Sequence, residues 1–188
     1  MGPPPNGLHS VQTAASWLRH RTPAWAGVTN GIQLRITFMA LDHATDLTKR
    51  PPRSPRVRLG GYVILPRMLD KGRALVAGKI GEYKYACPTD EHFLNFVEVN
   101  PEALKKQLAA GKGDGEILQW IQKNAKNKRT ASEIHAWSAY MDQRAPGDHD
   151  GREFFDGVHA KIAPKREDIH TWFDLLDLDD YVSFGGKP

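Results

Sequence analysis

Cys87 and His92 are the residues of this sequence best suited to nucleophilic chemistry, and they lie close together in the stretch YACPTDEHF. Thr89 is typical of a residue that caps a helix, and the positive end of such a helix would favour a thiolate at Cys87. His92 would lie one turn into the helix, where its imidazole could act as a base. A single cysteine is nevertheless more often a small buried apolar group, and no third residue that would orient the pair is apparent. The pair is therefore a candidate for catalysis, with a buried structural cysteine as the alternative.

Histidines and carboxylates near the C-terminus form a second set of candidates. His170 and Asp174 could act as a catalytic base and its carboxylate partner. A metal ion could take nitrogen and oxygen ligands from His159, Asp168 and His170. None of these residues has the HExxH or related spacing that makes a metal prediction specific, so the sequence predicts no metal site. Because it also contains no Gly-rich phosphate loop, nucleophile elbow or dinucleotide fingerprint, it leaves any cofactor unknown.

A run of basic residues and prolines at residues 46–59, here called the basic strap, is the third candidate. Its sequence, DLTKRPPRSPRVRL, contains three prolines, which exclude a regular helix and favour extended backbone. Arginine side chains bind phosphate or carboxylate in a bidentate manner, and the helix that follows adds further basic residues. The predicted anion-binding residues are Arg53, Arg56, Arg67, Lys71 and Arg73. The alternative is that the strap lies over the domain with its arginines paired to surface carboxylates, because charge runs are usually solvated.

These candidates depend for their positions on a helix predicted at residues 66–77, which we expect to be the most buried. Pro66 suits its first turn and Gly78 the position after its end. Apolar residues recur at helical spacing on one face, and the charged residues Arg67, Lys71 and Arg73 fall largely elsewhere. Similar patterns along the chain predict an all-α fold, a bundle of about six helices with a short extended segment near residues 82–86. One shared core is expected, with the members Leu69, Leu75, Ile117, Trp137, Phe155, Trp172 and Leu176.

The composition is that of a protein of 188 residues with one cysteine and a net charge of +4. A single cysteine excludes an internal disulfide and suits a reducing compartment, so we expect a cytoplasmic protein. No apolar run approaches the roughly 20 residues that a membrane-spanning helix needs. Of the 26 basic residues, three lie in residues 1–38, which contain no acid, and the remaining 23 are balanced by 22 acidic residues. This balance argues against nucleic acid as a partner.

Residues 1–38 differ in character from the rest of the chain. They contain proline clusters and scattered tryptophans, with no sustained helical or strand period. We expect a disordered tail or a start site placed too early, followed by a single helical domain at residues 39–188.

Three long motifs occur in order along the chain: DLTKRPPRSPRVRLGGYVILPRMLDKGRA, GEYKYACPTD and TWFDLLDLDDYVSF. Together they resemble the bacterial DUF5069 family over about residues 46–184. The resemblance implies one compact domain. Because the family is defined by sequence and not by an activity, the resemblance transfers no catalytic residue.

Two functions from different classes are consistent with these observations. The first is a non-catalytic cytoplasmic module that uses a basic surface to bind a small anion or a protein partner. The alternative is a small hydrolase of an ester, lactone or phosphoester that uses histidine and carboxylate residues, with or without a metal ion. The fold class by itself does not decide between them.

Overall fold

The computed structural model describes residues 44–188, and the predictions made for residues 1–38 lie outside this part of the chain. Within it the fold is all-α, as predicted, with seven helices and no strand. The helices are α1 (Leu65–Val76), α2 (Pro88–Val97), α3 (Pro101–Ala109), α4 (Asp114–Asn124), α5 (Ala131–Gln143), α6 (His149–Ile162) and α7 (Trp172–Ser183). Residues 82–86 lie between helices as turns and irregular chain, with Ala86 at a φ of 55°.

The central helix α1 is buried along its first two turns. Pro66 occupies the first turn, as predicted, where its missing N–H needs no partner. α1 packs closely on α3, because a Cβ on Gly72 would lie only 2.4 Å from Cδ1 of Leu108. Glycine at this position allows this approach, because a side chain there would require Leu108 to shift.

In the described part of the chain, most of the buried apolar residues form two clusters and not the single core that the sequence predicts. The predicted members found in or against the larger cluster, around α1, are Leu69, Ile117, Trp137 and Leu176. Phe155 and Trp172 belong to the smaller cluster, which joins α6 to α7. Leu75 is 39 % exposed, so its prediction as a core residue is wrong. The inward face of α1 passes through Lys71 and Ala74 instead, because Lys71 has a buried partner.

Side chains that accept backbone N–H groups determine where several helices begin. α5 has the predicted capping box, in which Glu133 N–H donates to Thr130 Oγ1 at 3.2 Å and Thr130 N–H donates to Glu133 Oε2 at 2.8 Å. α2 differs from the prediction, since Cys87 and not Thr89 precedes its first residue. Asp90 accepts the backbone N–H of Cys87 at 3.3 Å. The proline at position 88 takes the first helical position and moves the start of α2 towards the N-terminus.

Candidate ligand-binding site

Arg53 of the basic strap is paired with carboxylates of two helices. It donates to both oxygens of Asp70 at 2.9 and 2.8 Å and to Asp114 at 2.7 Å. Asp114 also accepts a hydrogen bond of 2.7 Å from Arg73. Burial alone would raise the pKa of Asp114, but the hydrogen bonds from the two arginines outweigh burial and lower that pKa. These contacts hold the strap against α1 and α4.

Arg56 and Arg58 connect the strap to α5 and α7. Arg56 forms ion pairs with Asp174 and, at 3.6 Å, with Asp177. Arg58 pairs with Asp142 near the end of α5. The arginines are partly exposed, so each pair contributes little to stability on its own, but together the pairs determine where the strap lies.

Arg67 and Lys71 are buried, which corrects the prediction that they lie on an outer face of the helix. Arg67 donates to Asp180 at 2.6 and 3.1 Å, and the two side chains are 4 % and 8 % exposed. Lys71 lies 2.8 Å from Asp90, whose side chain is completely buried. A buried charge persists when it is paired, and a helical pattern that assigns charged residues to the surface cannot identify such pairs.

All five residues predicted to bind an anion therefore have carboxylate partners within the described chain. An external anion would have to displace one of these carboxylates. The geometry favours the alternative interpretation of the basic strap, in which its arginines are paired to the domain.

Cys87 lies beside the buried ion pairs, whereas His92 lines a different cavity. The Sγ of Cys87 is 3.3 Å from Nζ of Lys71, and burial raises the pKa of this thiol. A cavity of about 20 Å³ adjoins Cys87 and Lys71, and it has room for one water molecule. A buried thiol with a raised pKa fits the structural interpretation of Cys87 and not the nucleophilic one.

The candidate histidines and carboxylates of the C-terminal region do not form one cluster. Asp174 accepts the backbone N–H of His170 at 3.1 Å, so it acts as a helix cap. Asp168 pairs with Arg166 at 2.6 Å, and this hydrogen bond lowers its pKa to about 2. The imidazole Nε2 of His159 is buried without a hydrogen-bond partner in the described chain. Among residues 44–188, no three His, Cys, Asp or Glu side chains are grouped so that they could hold a metal ion.

A cavity of about 670 Å³, here called the groove, lies among the N-terminal parts of α2, α6 and α7. Its volume is within the range of known small-molecule sites. Its apolar lining consists of Pro88, Phe154, Trp172, Leu175 and Leu176. Its polar lining consists of Thr89, His92, Arg144, Asp150 and Glu153. A mostly apolar space with a few charged groups is what a site for a small organic molecule requires.

Arg144 and His92 are the basic residues of the groove. The carbonyl of Arg144 accepts the backbone N–H of Trp172 at 2.9 Å, which holds this segment at the start of α7. The guanidinium lies 5.8 Å from the centroid of the Trp172 ring, and no carboxylate of residues 44–188 forms an ion pair with it. Burial, and then the charge of Arg144, lower the pKa of His92, which favours the neutral form of its imidazole.

The first two turns of α6 contribute the acidic residues and one aromatic ring. Asp150, Glu153 and Phe154 are three and four positions apart, so they share one face of the helix. Phe154 stacks on Trp172, with ring centroids 6.4 Å apart and planes inclined by 26°. Asp150 lies 3.7 Å from Nδ1 of His149, while no cation of the described chain pairs with Glu153. The groove thus contains one arginine and one glutamate that form no ion pair with any other residue of the described chain.

The sequence identified His92 as a candidate, and Asp150 as part of an acidic and histidine cluster, but it did not identify Arg144 or Glu153 as binding residues. Trp172 is predicted as a core residue, because an apolar pattern does not distinguish a buried ring from one that lines a cavity. Arg144 and Glu153 belong to no motif. The one relevant local signal is the capping box of Thr171 and Asp174, which sets the start of α7 at Trp172.

A comparison with protein-family models matches residues 49–182 to DUF5069, described as a domain of unknown function. This match confirms the resemblance seen in the three motifs and spans all the residues that line the groove. No curated protein matches the chain. In the part of the chain that the structure describes, no helix has the length and apolar character needed to cross a membrane.

Proposed function

The chain belongs to the DUF5069 family of domains of unknown function, and we propose from its geometry that it binds a small organic anion in the groove. The observation that carries this proposal is Arg144, whose guanidinium lines the groove and has no carboxylate partner within the described chain. Arg53, Arg56 and Arg58 of the strap and both arginines of α1 have such partners in this part of the chain. An arginine left unpaired beside an apolar cavity favours a carboxylate or phosphate ligand, which its planar group binds in a bidentate manner.

The rest of the groove indicates what else the ligand contains. The stacked rings of Phe154 and Trp172 and the neighbouring Leu175 and Leu176 require an apolar or aromatic body. The hydroxyl of Thr89, in the first turn of α2, offers a further donor near the positive end of that helix. The ligand is therefore a molecule of metabolite size with an anionic end and an apolar end.

This proposal keeps the anion-binding function expected from the sequence and assigns it to Arg144 instead of the basic strap. Nucleic acid fits the groove less well than a small molecule, because the lining contains the carboxylates of Asp150 and Glu153 beside Arg144. The volume of the groove is that of a small-molecule site. The single buried cysteine, Cys87, is consistent with the cytoplasmic location that we propose.

Isothermal titration calorimetry with 3-phenylpropanoate and phenyl phosphate tests the proposal. We expect the wild-type protein to bind at least one of the two, and Arg144→Gln to weaken that binding about tenfold or more, since a charge-assisted bidentate contact is lost. Arg144→Lys should recover it only in part, because an ammonium cannot form the bidentate contact. Lys161→Gln is the matched control, since Lys161 is exposed on α6 and does not line the groove.

Two results would contradict the proposal. One is an affinity of Arg144→Gln equal to that of the wild type, with folding confirmed by circular dichroism. The other is the absence of binding by the wild-type protein at millimolar concentrations of both probes.

A small hydrolase acting in the same groove is the second candidate, and His92 is the observation that favours it. A neutral imidazole could accept a proton from an attacking water molecule while Arg144 stabilises the oxyanion that develops. Cys87, His170 and Asp174 do not line the groove, so His92 would be the base. Saturable hydrolysis of the p-nitrophenyl ester of 3-phenylpropanoic acid, lost in His92→Asn while 3-phenylpropanoate still binds, would favour the hydrolase. Equal rates for the two proteins would leave only the binding function.

A further inference from the structure

We propose that the ligand of the groove is a zwitterion, an amino carboxylate with an aromatic or large aliphatic body, whose carboxylate binds Arg144 and whose ammonium group binds Glu153. This inference rests on the proposed function, because it uses the same groove and the same arginine. It adds a second recognition residue and defines the chemical class of the ligand.

Glu153 is the first piece of evidence, because it lines the groove and has no cationic partner in the described chain. The adjacent Arg152 does not neutralise it. The guanidinium of Arg152 donates to the carbonyl of Pro146 at 3.4 Å and lies 6.0 Å from the ring centroid of Phe155. The carboxylate of Glu153 therefore stays available to a cation that enters the groove.

The separation of Arg144 and Glu153 is the second piece of evidence. Both line the groove, yet their charged atoms are not within the 4 Å of an ion pair. Two opposite charges that border one cavity without pairing provide two attachment points of opposite sign. A zwitterion satisfies both of them at once, and neither a plain carboxylate nor a plain amine can do so.

Electrostatic selectivity is the third piece of evidence. A ligand with only a negative charge would be attracted by Arg144 but repelled by Asp150 and Glu153, which line the same groove. An ammonium group on the ligand converts the repulsion from Glu153 into attraction. The acidic residues of α6 thus select against simple organic anions and in favour of amino carboxylates.

The space between the charges accepts an apolar body. Phe154 and Trp172 stack at 6.4 Å, and Gly151, on the same turn of α6, has no side chain to fill the space near the indole. A Cβ on Gly151 would lie 3.0 Å from Asp148 Oδ1 and 3.6 Å, an ordinary contact distance, from Trp172 Cζ2. Because both rings line the groove, an aromatic or large aliphatic side chain fits it better than a small polar one.

Calorimetric titration of the wild-type protein and three variants with three related probes and one dipeptide tests this inference. The probes are L-phenylalanine, 3-phenylpropanoate, which lacks the ammonium group, and 2-phenylethylamine, which lacks the carboxylate. The proteins are the wild type, Glu153→Gln, Arg144→Gln and the control Glu167→Gln, whose carboxylate is exposed and does not line the groove. The dipeptide phenylalanylglycine is a second zwitterion, in which the two charges are further apart. It is included so that a mismatch between the charge spacing of phenylalanine and that of the groove is not mistaken for a lack of zwitterion binding.

We expect the wild type to bind phenylalanine or the dipeptide about tenfold more tightly than either singly charged probe, as one additional charge-assisted contact implies. Glu153→Gln should remove this preference and leave the affinity for 3-phenylpropanoate unchanged or higher, because a repulsive carboxylate is gone. Glu167→Gln should behave as the wild type.

The two proposals fail in different ways. Equal affinities of the wild type for 3-phenylpropanoate and both zwitterions, or a zwitterion preference that survives Glu153→Gln, would overturn the zwitterion inference and leave anion binding intact. Binding of every probe that is indifferent to Arg144→Gln would overturn anion binding itself.

Discussion

Replacing Arg67 by methionine tests whether the basic residues of α1 stabilise the fold or form an anion site. Arg67 donates to Asp180 at 2.6 and 3.1 Å and to the carbonyl of Arg53 at 3.2 Å. Removing one partner of a buried ion pair typically costs about 3–5 kcal/mol, because the other charge remains buried. Asp180 would keep the hydroxyl of Tyr83, which donates to it at 2.7 Å. We therefore expect a loss at the lower end of this range, about 3 kcal/mol.

Urea unfolding followed by circular dichroism measures this loss as a lower midpoint at an unchanged slope. Lys106→Met, on the exposed side of α3, is the control and should change the free energy of unfolding by less than about 0.5 kcal/mol. The double change Arg67→Met with Asp180→Leu should recover much of the loss, because an apolar pair of similar size can replace a buried ion pair. A loss below about 0.5 kcal/mol in Arg67→Met, together with loss of stabilisation by added phosphate, would refute the reasoning and make Arg67 an anion-binding residue.

Three further predictions follow from the packing and from the groove. Leu69→Ala should lower the free energy of unfolding by about 2–5 kcal/mol, because Leu69 is fully buried. Leu75→Ala should change it by less than about 0.5 kcal/mol, because Leu75 is exposed. Equal losses in urea unfolding would mean that the inward face of α1 is misassigned. Gly72→Ala should destabilise the protein by about 1–3 kcal/mol despite the higher helix propensity of alanine, because the added Cβ would lie 2.4 Å from Cδ1 of Leu108. A raised melting temperature in calorimetry would rule out the close packing of α1 on α3. The pKa of His92 should lie below its ordinary value of 6.5, because burial disfavours the imidazolium. The unfolded chain then binds this proton more readily, so the stability that the neutral imidazole provides above pH 6.5 is lost as the pH falls through the lowered pKa. An NMR titration midpoint of His92 at or above 6.5 would contradict this.

The helices could be predicted because the information that sets them is local. Thr130 and Glu133 of one capping box lie three positions apart, and Pro66 acts on its own turn. The pairing of the basic strap is not local in this sense. Arg56 and its partner Asp174 are 118 positions apart. The sequence shows that partners exist among the acids, but it does not show which acid meets which arginine.

The same limit explains why Lys71 was predicted on the surface and Leu75 in the core. Helical periodicity predicts burial from hydropathy alone. It cannot identify a charged residue that is buried because a partner offsets the cost of desolvation. Asp90 lowers that cost for Lys71, because the fold brings its carboxylate to within 2.8 Å of the ammonium. With Lys71 turned inward, Leu75 lies on a face that remains 39 % exposed.

The groove could not be predicted for a related reason, and the reason bears on how such a site is recognised. In the sequence Arg144 and Glu153 are ordinary charged residues among many of both signs. They become informative only after the anion-binding residues predicted in the strap and in α1 have been matched with carboxylates, because Arg144 and Glu153 border one cavity and form no ion pair within residues 44–188. The basic residues that the sequence singled out as an anion site instead form ion pairs within the domain. In a domain of near-balanced charge, ligand recognition is therefore expected where pairing fails beside an apolar space, and not where charge is densest.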